Sequence, residues 1–425
     1  MDPEENKTTV LEFILSSSSK SSLESTIFSF LSCPDSALFS NNFFFECLSP
    51  CDDNHYVKDQ LIHRTLRRLL LLLESTKRCS RKQLTLHNSI SWFLPPDLTI
   101  KVFSMLDTKS LMQVAACCTM FNKSAMEPLC YSHIDLTTAF AHADDGVVRT
   151  MIQRAGKELR SLKLGRPPHQ NEYATVLLSA YCLAPLSPDM GFTGVRLRSL
   201  HLYSITWLNE MSLCTSLSAC SNLFDLKIVE FNGSLELVLK SLARKCRLIE
   251  HLFLETSFGD DCVTTESTID AFVTNCSNLT SLTLKDFYLN DQIARILVKG
   301  FRKLKYMNLS RTFGFDGSFL RSSCKNSLLE TLILRDCSLK EREVLEFFNS
   351  LVAGNFRFIR YIDVSRKNGL ICDGDTTSSE PNFPLEKLKK ERPYFKLVAE
   401  FPTNVPREMS RYDYFFFASF DSCML

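Results

Sequence analysis

Glycine is scarce. With 13 glycines in 425 residues, the chain is not built on loops that cradle phosphates. No P-loop, GxSxG, HExxH or CxxC motif occurs, so the usual signatures of nucleotide, hydrolase, zinc-peptidase and redox chemistry are missing. Charge of one sign is missing too. Forty-nine basic against 48 acidic residues leave no global field to recruit nucleic acid or an anionic membrane. The leucine run at 69–73 falls far short of the roughly 20 apolar residues that span a bilayer. The first residues are acidic and lack a charged-then-apolar leader, and the 17 cysteines are an odd number, so an intracellular, reduced chain in nucleus or cytoplasm is expected.

What is present starts with residues 94–136. Pro96 suits a first helical position, Asp97 favours the positive end of the helix dipole, and Leu98, Val102, Phe103 and Leu106 follow at helical spacing. Asp107-Thr108 offers an N-cap to a second helix with Leu111, Val114, Ala115 and Cys118 on one face. A third helix holds Phe121 and Ala125, and Pro128 ends it. Three short helices cannot bury all this apolar surface among themselves, and Ile100 and Met105 fall off the main stripe. The surplus surface faces a partner or caps the next domain. Patterning alone does not choose between the two.

The stretch resembles an F-box, the module by which a substrate receptor attaches to the Skp-type adaptor of a cullin–RING ubiquitin ligase. The resemblance rests on Leu94-Pro95, Ile100, Val102-Phe103, Leu106, Leu111, Val114, Cys118, Phe121, Leu129 and Tyr131. Thr119 stands where a basic residue is usual, and Tyr131 where tryptophan is commonest. The resemblance implies adaptor contacts at Leu94, Pro95, Leu98, Ile100, Val102, Phe103, Leu106, Leu111 and Val114.

Ahead of this module the sequence is mixed, with a serine-rich tract at 16–22 and three phenylalanines at 43–45. A helix is expected near 57–76, carrying Leu61, Leu66, Leu69, Leu70 and Leu73 and packing on the F-box or the first repeat. Lys77, Arg78, Arg81 and Lys82 read as solvated charge, with nuclear import as the sharper meaning.

Behind the module an LxxLxL pattern recurs with central residues Leu162, Leu200, Leu226, Leu252, Leu282, Met307, Leu332 and Ile362, spaced by 38, 26, 26, 30, 25, 25 and 30 residues. That period matches leucine-rich repeats with insertions. The LxL pair points two alternate strand residues into a core, and a returning helix such as the one bearing Ile293, Ile296 and Leu297 covers it. One unit cannot bury its leucines, whereas a stack can. Ile134-Asp135-Leu136 adds a strand in front and residues 395–398 one behind. Cys220, Cys246 and Cys276 each precede a central leucine by six residues, and Cys337 follows Leu334 by three. Core packing explains this phase, since paired metal-ligand spacing is absent and no metal or cofactor is expected. The phase also resembles the cysteine-containing repeats of F-box proteins.

Residues expected to face out from the strands, on a concave binding surface, are Lys163, His201, Tyr203, Lys227, Glu255, Lys285, Tyr306, Asn308, Arg335, Tyr361 and Asp363. Aromatics with both charge signs suit a protein ligand, and no arginine run invites phosphate. Insertions at 166–196 and 366–384 interrupt the rhythm, the second read as flexible.

The expected fold is therefore α/β: an extension at 1–90, the F-box at 91–136, a solenoid of about eight to ten repeats at 137–400 with parallel strands inside and helices outside, and a capping segment at 401–425. The resemblance implies a non-catalytic receptor that holds an unidentified protein substrate near a cullin-bound ubiquitin-loaded enzyme, with no nucleic acid or membrane partner. A repeat scaffold or ligand-sensing protein outside any ligase is the alternative, and a cysteine-dependent ubiquitin transferase a second.

Overall fold

The computed structural model describes residues 55–401 except 138–143, 168–177, 189–192, 206–207, 261–263, 322–326, 368, 373–376 and 379–382, together with Ser22, Ser25, Phe28, Ser29 and Ser32. The serine-rich tract (apart from Ser22), the phenylalanines at 43–45 and the C-terminal capping segment beyond Phe401 lie outside the described residues. The chain divides into two compact units, Met1–Gln83 and Leu84–Leu425.

In the first unit the expected helix is present but longer: α1 runs His55–Ser91 and crosses into the second unit. No proline or glycine stands between Pro50 and Pro95 to stop it, so it continues where the apolar period has already lapsed. Leu66, Leu69, Leu70 and Leu73 are exposed along it.

The second unit opens with α2 (Pro96–Phe103), α3 (Thr108–Cys117) and α4 (Thr119–Ala125), then a short 3-10 turn at Pro128–Tyr131. Asp107 caps α3, accepting the Ser110 amide at 2.9 Å. These helices hand the chain to β1 (His133–Asp135), and Thr108 fixes the join by accepting the Asp135 amide at 2.8 Å.

From β1 onward each strand lies beside its predecessor in the chain. The strands are β2 (Ser161–Gly165), β3 (Ser199–Tyr203), β4 (Asp225–Phe231), β5 (His251–Asp260), β6 (Ser281–Phe287), β7 (Tyr306–Asn308), β8 (Thr331–Ile333) and β9 (Tyr361–Asp363). A hairpin of β10 (Leu370–Ile371) with β11 (Thr377–Ser378) comes next, and β12 (Lys396–Val398) then pairs with β9. Among the described residues ten of these strands form one all-parallel sheet in chain order. Ile134, Leu162, Leu200, Leu226, Leu252, Leu282, Met307, Leu332, Ile362 and Leu397 stand in one register line across it. The central positions of the leucine pattern thus stack into a continuous core row, the only way a parallel sheet of such short strands closes its apolar face.

Returns between strands run over that buried face through α5 (Asp145–Ala155), α6 (Glu210–Ala219), α7 (Leu235–Lys245), α8 (Glu266–Asn275), α9 (Asp291–Gly300), α10 (Glu341–Val352) and α11 (Leu385–Glu391). A helix in every return was the expectation, and among the described residues two returns show only short 3-10 turns. Short 3-10 turns at Ala184–Leu186 and Thr193–Arg196 precede β3, and one at Ser318–Arg321 precedes β8. Pro185 inside the first and the closely spaced glycines Gly314 and Gly317 ahead of the third disfavour a longer helix. The insertion at 366–384, read as flexible, contains the β10–β11 hairpin.

Gly165 ends β2 at φ +87°, where a Cβ would sit 1.9 Å from the Tyr203 carbonyl oxygen. That closeness lets Arg166 donate its amide to the same oxygen at 2.9 Å. At or just beyond the ends of later strands Ser204, Glu230, Asp286, Arg311 and Asp336 also bend the backbone at positive φ.

Candidate functional site

Two surfaces are candidates. The first belongs to the N-terminal helices of the second unit. The inner flank of α2 is fixed by Thr99 and Phe103, both nearly fully buried. The Trp92 indole donates to the Thr99 hydroxyl at 2.8 Å, and Thr99 donates back to the Pro95 carbonyl at 3.0 Å. Trp92, Phe103 and Phe121 form an edge-to-face ring cluster, with Phe121 5.1 Å from Trp92 and 5.4 Å from Phe103. With that flank committed, the opposite flank stays exposed. Leu94, Leu98, Val102 and Met105 recur every three or four residues and are 38, 49, 39 and 81% exposed.

The residues expected to touch an adaptor therefore separate. Leu94, Pro95, Leu98 and Val102 lie on the surface. Ile100, Leu106 and Val114 are partly covered and pack on the core. Phe103 and Leu111 are buried, which corrects their assignment: they hold α2 and α3 in place and present no surface. The stripe read from the spacing divides: Phe103 and Leu106 face the core and Met105, off the stripe, is exposed, but Leu98 and Val102 face out and Ile100 packs inward. Sequence reasoning missed Trp92 and the last turns of α1. There Thr85 and Asn88 reach Thr119 and Cys118, at 2.6 Å between the threonine hydroxyls and 3.2 Å from the Asn88 amide to the Cys118 sulfur. Thr119, unusual for its position, has its partner in Thr85. Tyr131 is buried with its hydroxyl accepting from Arg154 at 3.2 Å.

The second candidate is the face of the sheet away from the helices, where alternate residues of each strand emerge. Lys163 pairs with Asp135 at 3.2 Å. His201 Nε2 lies 2.7 Å from Asp225, and the Ser199 hydroxyl donates to the same carboxylate. Burial works to raise the Asp225 pKa, but the His201 and Ser199 hydrogen bonds and the charge of His201 outweigh it and hold the carboxyl low. Lys227 sits between the rings of Tyr203 and Phe253 at 5.4 and 4.9 Å, and Lys285 lies 5.1 Å from Phe253. Lys285 also approaches Glu255 at 3.8 Å. Phe253 was passed over although it occupies the same place between paired leucines as Lys227.

Further along, Arg311 makes a fork to the buried Asp286, with hydrogen bonds of 2.7–3.0 Å, and reaches Glu255 at 2.6 Å. Neither Asp286 nor Arg311 was foreseen. Both stand two residues past the second leucine of the pair, where the strand turns at positive φ, and that recurring place was the available signal. Arg335 donates to Asp363 at 3.2 Å. Asn308 and Asp363, expected to face out, are buried. Each carboxyl or amide oxygen turns back to accept the amide two residues on, Ser310 and Ser365 at 2.9 Å, and Asp135 does the same for Thr137. They therefore shape the strand ends. Tyr306 takes the Asn308 amide at 3.3 Å, and Tyr361 lies 5.8 Å from the Lys396 ammonium. A pocket of 360 Å³ opens here, with Lys285, Ser310, Arg311, Ile333, Arg335 and Tyr361 on its walls.

No cluster of three metal-type side chains occurs among the described residues. Cys220, Cys246, Cys276 and Cys337 are buried, and burial pushes Cys220, Cys276 and Cys337 up to about 12. Cys246 rises also, through burial and then the neighbouring thiols Cys220 and Cys276. Cys246 donates to the Cys220 carbonyl at 3.4 Å and Cys276 to the Cys246 carbonyl at 3.8 Å, a ladder through the helix ends. A thiol held protonated is a poor nucleophile.

Residues 91–137 match the F-box-like family. The chain is 52% identical to the F-box protein At4g02760 of Arabidopsis thaliana over 90% of its own length and 78% of that protein. It is 57% identical to the F-box protein SKIP17 of the same plant, over 80% of this chain and 73% of that one. Among solved structures, the Rad7–Elc1 complex of yeast aligns at 12% identity and a TM-score of 0.37, covering 83% of this chain and 96% of that one.

Proposed function

The chain belongs to the F-box protein family, and from that premise we propose that it is a substrate-receptor subunit of a Skp–cullin–F-box ubiquitin ligase. In this reading α2 and its neighbours dock a Skp-type adaptor, and through it a cullin. The stacked repeats, read as leucine-rich repeats, hold a protein substrate on the strand-lined face. The receptor makes no bond itself. It raises the effective concentration of a substrate lysine beside a ubiquitin-loaded enzyme carried elsewhere in the assembly.

The observation that carries the reading is the exposed apolar file of Leu98 and Val102 on α2 with Leu94 and Met105 just before and after it, while the other flank of the helix is committed to the core. Covering such side chains contributes on the order of 1.5–3 kcal/mol each when burial is complete, enough for a few of them to anchor a stable complex. Among the described residues no helix is long and apolar enough to cross a membrane, and action in nucleus or cytoplasm goes with the reading.

The test is capture of a purified Skp-type adaptor by the full chain, repeated with Leu94→Ala and Pro95→Ala together. Capture that disappears in the double variant supports the reading. A folded chain that captures no adaptor removes the ligase role and leaves a binding scaffold.

A further inference from the structure

The strand-lined face holds an imbalance between its cations. Lys163, Arg311 and Arg335 each meet a carboxylate oxygen at 3.2, 2.6 and 3.2 Å, whereas Lys285 comes no closer than 3.8 Å to Glu255, which Arg311 holds. Lys227 has no ion pair among the described residues. Its ammonium is bracketed by the rings of Tyr203 and Phe253 alone. Ring faces attract a cation through their quadrupole alone, and a carboxylate offers a partly dehydrated ammonium the charge-assisted hydrogen bond that they do not.

The carboxylates nearby are already engaged. Asp225 is held by His201 and Ser199. Glu255 takes Arg311 at 2.6 Å, and Asp286 is locked under the same guanidinium. The Phe253 ring is shared, 4.9 Å from the Lys227 ammonium and 5.1 Å from that of Lys285, so the two nitrogens lie within about 10 Å of each other. Side chains two residues apart on an extended chain are separated by about 7 Å and point the same way.

We propose that the face over β3–β6 binds an extended acidic polypeptide segment, with one Asp or Glu carboxylate on Lys227 and another, two residues along, on Lys285 across the Phe253 ring. This rests on the receptor reading and names the chemistry of its substrate. The neighbouring 360 Å³ pocket, with Ile333 and Tyr361 on its walls, receives the next side chain. A carboxylate suits the site better than a phosphate. A dianion seeks a guanidinium fork, and the fork of Arg311 is spent on Asp286 and Glu255.

The test is fluorescence anisotropy with the full chain and labelled peptides of alternating Glu and Thr, Gln and Thr, or phosphoserine and Thr. The Glu peptide is expected to bind at least about tenfold more tightly than the Gln peptide. Lys227→Met and Lys285→Met should each weaken it about tenfold, while Lys299→Met on the exposed side of α9 changes nothing. A thermal transition checks that each variant is folded, and if one is not, the other decides. Equal binding of Glu and Gln peptides, tighter binding of the phosphoserine peptide, or native affinity in the folded lysine variants overturns the proposal. Adaptor capture in the same samples separates the two ideas. Capture lost with peptide binding kept overturns the ligase role only, and the converse overturns the acidic-segment site only.

Discussion

The hydroxyl of Thr85 lies 2.6 Å from that of Thr119 and accepts the Thr119 amide at 3.0 Å. The last turns of α1 are thereby stitched to the start of α4, a helix whose N-terminus also meets the Cys118 sulfur, 3.4 Å from the Phe121 amide. The helical module thus extends ahead of the stretch that the family pattern covers.

Thr85→Val should therefore loosen α4, because the Thr119 amide loses its acceptor. A cost of about 1 kcal/mol is expected. Hydrogen exchange at Thr119 reads it directly, and unchanged protection there would show that the contact contributes nothing.

The two flanks of α2 should respond in opposite ways. Leu98→Glu or Val102→Glu should abolish adaptor capture while leaving the unfolding midpoint near its original value, since both side chains already meet water. Phe103→Ala should cost about 3–5 kcal/mol by opening a cavity beside Trp92 and Phe121. Denaturant unfolding beside an adaptor pull-down distinguishes them, and a fold lost in Leu98→Glu would contradict the assignment of flanks.

Thiol reactivity should follow burial. Cys79 and Cys117 are exposed, and alkylation under native conditions at mildly alkaline pH should label them first. Cys220, Cys246, Cys276 and Cys337, buried with raised pKa values, should react only on unfolding. Peptide mapping by mass spectrometry checks the order, and early labelling of Cys246 would break the ladder.

Acid should release a tie between repeats. Glu236 on α7 accepts from the Thr265 amide at 2.8 Å, from the Thr268 hydroxyl at 2.7 Å, and pairs with Lys240 at 2.7 Å. Burial acts to raise its pKa, but the hydrogen bonds from Lys240, Thr268 and Thr265 prevail and bring it down to about 2. With the folded value below the unfolded value near 4.5, this stabilisation is full above pH 4.5 and is lost as pH falls towards 2. Glu236→Gln should cost about 1.5–3 kcal/mol at pH 7 and progressively less below pH 4.5. Thermal melts of both chains across that range check it, and a difference independent of pH would count against the assignment.

Much of the architecture was legible because it is periodic. The LxxLxL spacing located every central strand residue from Leu162 to Ile362, and the flanking strands at Ile134 and Leu397 fell where expected. The phase of the buried cysteines was readable for the same reason. Thr85 with Thr119 is 34 residues apart and nothing in the local period marks it; Arg311 and Asp286 share a recurring place in the repeat, but the period does not say that their side chains pair, or that Arg311 also reaches Glu255, 56 residues away. Nor was the outward flank of α2, because two apolar stripes on one helix look alike until one of them finds Trp92 and Phe121.

The sequence by itself determined the order of parts and the core row, since strand alternation and repeat length are local quantities that every unit states again. Only the tertiary structure decided which apolar residues of α2 stay uncovered and which cations on the strand face keep a carboxylate. Both depend on what the rest of the chain brings within a few ångströms, and burial and charge pairing are settled by that proximity.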